Sequence, residues 1–306
     1  MTGERGLHGA YLRKDLIERL GRYRVDADIQ RGVLRRLWPG VLVDASRFLD
    51  PRTRAAAALL SHGSRSVIAG ATATGLHGCT AIECADTHIA VPYGHPSRSR
   101  DGLAVHNCPL PPDDVIDIDG LRVLTLDRVI SDLLCTARPR DAIAATDQAL
   151  ACQPDERRAA FRARVGQRLA DRRDPRGTKR GARLLGLASG RAESPPESWL
   201  LLEVVDLGYP VPEANWELRA PDGVLLYRLD LAWPEQRIVV EYNGYAVHVD
   251  REAEDECRAE DLRRRGWIVI VATKDDLRDN TRLALVLRQS FRRRGHRWSD
   301  EIRDSP

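Results

Sequence analysis

The stretch "EANWELRAPDGVLLYRLDLAWPEQRIVVEYNG", residues 213–244, constrains the fold of this chain more than any other. It holds three runs of strand-forming residues, "ANWELRA", "LLYRLDLAW" and "RIVVEYNG", separated by Pro-Asp-Gly and Pro-Glu-Gln, and such breaks read as turns between paired strands. Alternate side chains of a strand share a face. Glu241 and Asn243 therefore point one way and Val240 and Tyr242 the other, while Leu229 and Leu231 face away from Asp230. A hairpin turning at 234–236 brings Asp230 beside Glu241. Two carboxylates in a half-buried sheet repel unless a cation or a shared proton intervenes. A divalent ion with oxygen ligands answers that conflict, and Mg²⁺ is commonly held by one or two carboxylates with water and phosphate oxygens around them. Ion pairing of Asp230 with Arg228 or Arg237 is the alternative reading of the same residues. Upstream, "ESPPESWLLLEVVDLGY" reads as a helix with Ser194 as its N-cap and proline just inside, and Glu197 on it could reach the same sheet edge.

Glu197, then Asp230, then Glu241-Tyr242-Asn243 on a hairpin resembles the core of the PD-(D/E)XK nucleases, and more closely the branch akin to the very-short-patch repair endonuclease. The resemblance runs from about Glu193 to Arg294. It implies an α/β domain that cleaves DNA phosphodiesters with Mg²⁺ or Mn²⁺, with Asp230 and Glu241 as metal ligands and Glu197 as the acidic residue of the helix. Arg258, at the head of "DECRAEDLRRRGW", and Lys274, after the strand "WIVIVA", would contact DNA. Asn243 stands where the superfamily carries a lysine and can donate a hydrogen bond without supplying charge; His248 or Lys274 would take over that cationic part.

The N-terminal segment supplies a second resemblance. "AYLRKDLIERLG" and "DADIQRGVLRRL" read as two short helices, the second capped by Asp26 or Asp28, and "LWPGVLVD" as a hairpin turning at Pro39-Gly40. Helix, helix and wing is the order of a winged helix-turn-helix, whose second helix enters the major groove. Gln30, Arg31, Arg35 and Arg36 would then contact DNA. Together with "RAAAALLSHG", "SVIAGATATGLHG" and "DGLRVLTLDRVISDLL", the order resembles the AbiEi-type antitoxin family. That likeness implies DNA binding, a role in phage defence or a toxin-antitoxin pair, and a cognate toxin as partner.

Composition adds limits. A chain of 306 residues allows two or three domains. The expected class is α/β (α+β overall): a winged helix at 1–48, an α/β domain at 49–155, a basic linker helix at 156–191, a restriction-endonuclease-like mixed sheet flanked by helices at 192–298, and a tail at 299–306. The formal net charge of +3 says little, but Glu156–Arg191 carries twelve Lys/Arg against three Asp/Glu and reads as a phosphate-facing surface or a solvated linker. Six cysteines without a CxxC pair point to reduced thiols, and neither an apolar leader nor an apolar run of about 18 residues is present, so a cytoplasmic protein is expected. The alternative to a nuclease is a non-catalytic, antitoxin-like regulator on a degenerate nuclease fold.

Overall fold

A computed structural model describes residues 6–243 and 249–295, with backbone alone for 249–255. The protein is a mixed α/β fold whose contacts divide it into two units, one within Met1–Thr136 and Ala159–Thr178, the other within Ala137–Arg158 and Lys179–Pro306. The chain thus passes between the units three times. The expected boundaries at 48, 155 and 191 differ from this division. Among the described residues no helix is long and apolar enough to cross a membrane.

The first unit opens with β1 (Ala10–Leu12), α1 (Arg13–Leu20), α2 (Arg22–Gln30), β2 (Leu34–Trp38) and β3 (Val41–Asp44), the strands forming an antiparallel sheet in the order β1-β3-β2. Leu16, Val25, Leu34 and Leu42 make its core. The two helices break at Gly21 (φ 80°), a left-handed conformation that glycine adopts without steric cost. Helix, helix and hairpin follow one another as expected, but Ala10–Leu12, expected as the start of the first helix, form strand β1 paired with β3, and the second helix is shifted. It begins at Arg22, ends at Gln30 and gives way to Gly32 (φ 72°), so Arg35 and Arg36 lie on strand β2 and not on a helix. Asp28 is no N-cap: it is a buried carboxylate within α2, held by Arg31 (2.6 Å) and Arg24 (3.1 Å).

The same unit continues through α3 (Pro51–His62), β4 (Val67–Ile68), α4 (Gly70–Leu76), β5 (Thr87–Val91), β6 (Leu103–Asn107), β7 (Val115–Ile118), β8 (Leu121–Leu124) and α5 (Leu126–Thr136). Asp50 caps α3, accepting from the Thr53 N–H at 2.8 Å. The five strands pair in the order β6-β5-β4-β8-β7. Asp119 (φ 52°) and Gly120 (φ 82°) turn the β7–β8 hairpin, the backbone that an Asp-Gly pair favours. Strands β5 and β6 pair in parallel, so the 92–102 loop must run back along the sheet before β6 begins.

α6 (Pro139–Ala151) belongs to the second unit, and α7 (Asp155–Ala170) leads back into the first. α7 is no linker. Arg168 pairs with Asp114 (2.8 Å) and Asp127, and Arg172 with Asp132, whose other partner is Arg128. Much of the positive charge read from 156–191 is therefore spent on carboxylates of the protein itself.

The second unit also contains α8 (Thr178–Leu187), α9 (Pro195–Asp206), β9 (Glu213–Arg219), β10 (Leu225–Trp233), β11 (Ile238–Tyr242), α10 (Val249–Arg264), β12 (Ile268–Ala272) and α11 (Thr281–Arg293). Its sheet runs β12-β11-β10-β9, antiparallel except for the parallel β11–β12 pair that α10 connects. Asp147 on α6 is buried, accepting from the Ser189 and Gly190 N–H groups and the Ser198 hydroxyl, each at 2.7 Å. Its side chain fastens the 189–190 bend and α9 to α6. Asp147→Ala should cost about 3 kcal/mol in urea unfolding, because buried donors would lose a charged acceptor; a loss under about 0.5 kcal/mol would show that the clamp is idle.

Candidate functional site

The β10–β11 hairpin sets Leu231 against Val240, Ala232 against Val239 and Trp233 against Ile238. Continued by one position, that register places Asp230 across from Glu241. Both side chains line a cleft of about 250 Å³ together with Tyr242, Asn243, Arg258, Ala259, Leu262, Val269 and Val271. The strict alternation expected of β10 does not hold, since Leu229 shares a core cluster with Ala232, three positions away, and with Val239, Leu262 and Trp267. Beside that break, Asn215 on β9 has φ 48°, a left-handed residue within a strand.

Each carboxylate has its own surroundings. Burial raises the Asp230 pKa to about 6; the Tyr242 N–H at 2.8 Å and Arg258 pull it down, and the negative charges of Glu197 and Glu193 push it further up. Glu241 instead receives Arg258, whose Nη2 lies 3.1 and 3.0 Å from its two oxygens and also donates to the Arg228 carbonyl. Arg258 lies over the Tyr227 ring, 5.6 Å from its centroid. Glu197 closes the start of α9: it accepts from the Glu193 N–H (2.8 Å), the Ser194 hydroxyl (2.7 Å) and Asn215 Nδ2 (3.0 Å). Ser194 holds the N-cap position, but its hydroxyl donates to Glu197 and makes no cap to the helix backbone.

The structure thus gathers Asp230, Glu241, Asn243 and Arg258 in one cleft and sets Glu197 near enough to act on Asp230 by its charge. Lys274 stands exposed on the turn after β12 and does not line the cleft. His248 lies outside the described residues. Among the described residues there is no group of three or more His, Cys, Asp or Glu side chains placed to hold a metal. Asn215 and Glu193 had no sequence signal, because their parts depend on the bend in β9 and the helix start.

No family model matches the chain. Over 272 residues it is 30% identical to "Uncharacterized protein MT2308" of Mycobacterium tuberculosis strain CDC 1551, an alignment covering 84% of this chain and 92% of that protein. "Uncharacterized protein Rv2248" of Mycobacterium tuberculosis strain H37Rv matches with the same figures. The chain belongs to their family. A crystal structure of the RV2827C protein from Mycobacterium tuberculosis is a weaker likeness, with a TM-score of 0.42 and 17% identity over 71% of this chain and 85% of that one.

In this member of the family the N-terminal basic residues are unequally free. Arg31 is bound to Asp28, and the Arg35 guanidinium sits 3.8 Å from the centroid of the Phe48 ring. Gln30 and Arg36 are exposed. So are Arg22 and Tyr23 at the start of α2, which sequence reading passed over because it began the helix several residues later; Tyr23 is 96% exposed.

Proposed function

We propose that the protein binds duplex DNA and hydrolyses its phosphodiester bonds at the Asp230–Glu241 cleft with a divalent cation, Mg²⁺ or Mn²⁺. The observation that carries the reading is a carboxyl held near pH 6 in a cleft it shares with a second carboxylate. A structural acid has no need of such a position, whereas a cation would relieve it. The donor set fits the ion in kind: two oxygen ligands suffice for Mg²⁺, and the cleft leaves room for its waters.

When bound, the cation supplies a more acidic water and Lewis-acid polarisation of a phosphoryl oxygen. Asp230 and Glu241 would hold it. Arg258 lines the same cleft and can turn from Glu241 toward a phosphate oxygen, while Asn243 donates a hydrogen bond without charge. Glu197, with its oxygens engaged by three donors, acts as a positioning residue that keeps negative potential on Asp230. The exposed groups of the first unit, Gln30, Arg36, Arg22 and Tyr23, would grip the duplex.

The Glu241–Arg258 ion pair favours a second reading, in which the cleft is neutralised internally and the protein is a non-catalytic, antitoxin-like regulator with a partner toxin. Plasmid cleavage and calorimetry with increasing Mg²⁺ decide between them. On the first reading wild type cuts, and Asp230→Asn and Glu241→Gln each lower the rate by about 10³-fold, the equivalent of several kcal/mol of lost charge stabilisation. Absence of both heat and cleavage at millimolar Mg²⁺ or Mn²⁺, with DNA binding intact, overturns the hydrolase and favours the regulator.

A further inference from the structure

In the first unit, remote in sequence from the carboxylate cleft, the returning loop 92–102 and the end of α3 enclose a cleft of about 560 Å³ lined by Ser61, His62, His95, Ser97, Arg98 and Arg100. No carboxylate lines it. Two of its polar atoms, His95 Nδ1 and Ser97 Oγ, are buried without a hydrogen-bond partner. Buried polar groups are rarely left so, because each forfeits its hydration, and an orphaned pair calls for a ligand. Among the described residues neither Arg98 nor Arg100 has an ion pair, although the protein pairs arginine with carboxylate at more than twenty other places.

His62 is fixed here: its Nδ1 lies 3.0 Å from the Ala58 carbonyl, which can only accept, so Nδ1 carries the proton. Ser61 holds the same nitrogen at 2.6 Å. The C-terminal end of α3 turns its partial negative charge toward this cleft and is the internal alternative for the two arginines. Neither guanidinium hydrogen-bonds to it among the described residues.

We infer that this cleft is a binding site for a phosphate group, received by the exposed Arg98 and Arg100 guanidiniums, with His95 Nδ1 and Ser97 Oγ turning out of their buried positions to meet it. Guanidiniums match phosphate oxygens in a bidentate fork, and a hydroxyl and a ring N–H supply the remaining directions. A phosphate satisfies both orphaned atoms and both unpaired cations at once, which an apolar or cationic ligand cannot. The volume admits a group the size of a mononucleotide. The site stands independently of the hydrolase reading, since it shares no residue with the Asp230 cleft.

The test is calorimetry of the full-length protein with inorganic phosphate, AMP and adenosine. Phosphate and AMP should bind saturably and adenosine should not. Arg98→Gln/Arg100→Gln, on an exposed loop, should weaken binding by at least about tenfold, and Ser97→Ala by about threefold, as expected for charged and neutral hydrogen bonds. Asp230→Asn should bind phosphate as wild type does, whatever its effect on cleavage. The source is separated by comparing 5′-phosphorylated with 5′-hydroxyl duplexes: tighter binding of the former assigns the site to a nucleic-acid end, and equal binding to a free phosphate or nucleotide. Lack of saturable binding at millimolar phosphate, or undiminished affinity in the folded double variant, overturns the inference.

Discussion

Asp230→Asn should make the protein more stable at pH 8, by about 3 kcal/mol, while removing its metal response. The native carboxyl keeps its proton up to about pH 6, whereas an unfolded one releases it near 3.8. Between those values the native state binds more protons, so wild-type stability falls as pH rises from about 4 to 6 and levels off above. The full difference, about 1.4 kcal/mol for each tenfold change in proton affinity, is then carried at neutral pH. Asparagine has the same shape, still accepts from the Tyr242 N–H and never ionises, so the variant should lose the slope. Chemical unfolding at intervals from pH 4 to 8 reads both effects. A variant less stable than wild type at pH 8 would mean that the ionised carboxylate is supported by its surroundings and carries no strain. Stability given up at one acidic side chain is the usual mark of a site kept for chemistry.

Arg258→Met is expected to move the same cleft the other way. The arginine neutralises Glu241 and lowers the Asp230 pKa, and its guanidinium carbon sits 5.6 Å from the Tyr227 ring centroid, where a methionine thioether can pack against the ring without charge. Removing its charge leaves two acids with less compensation, so the Asp230 pKa should climb above 6, as followed by carboxyl NMR. Mg²⁺, which competes with that guanidinium for Glu241, should bind at least about tenfold tighter by calorimetry. Affinity that drops in the variant would mean Arg258 orients Glu241 for the ion, and an absence of metal binding in both proteins favours the regulator. Cleavage gives a separate signal: tighter metal with slower cutting identifies Arg258 as a phosphate contact.

The facing of Asp230 and Glu241 was legible in sequence because a short Pro-containing turn between two apolar runs fixes a hairpin register within narrow limits. The Asp-Gly turn at 119–120 is local in the same way, written in two residues, whereas the Asp50 cap of α3 was not read from the sequence. What escaped was decided by distant partners. Arg258 is one of many arginines in a charged helix, and nothing within "DECRAEDLRRRGW" singles it out for Glu241, 17 residues away. Leu229 joins Ala232 in one core cluster, across a break in alternation opposite the left-handed Asn215 that no local pattern announces. Arg168 and Arg172 read as free charge until Asp127 and Asp132 of α5, some 40 residues earlier in the chain, are folded against them.

The threefold passage of the chain between its units sets a rule for dissecting it. A fragment beginning at residue 192, the boundary that composition suggests, would leave Ser198 without Asp147 and expose the buried face of α9 that α6 covers. One ending at 155 would strip Asp114, Asp127 and Asp132 of the α7-side arginines that neutralise them. On the ribosome the first unit cannot close until residue 178 has emerged, well after its own sheet is made, and α6 of the second must wait longer still for α9 to follow and cover it.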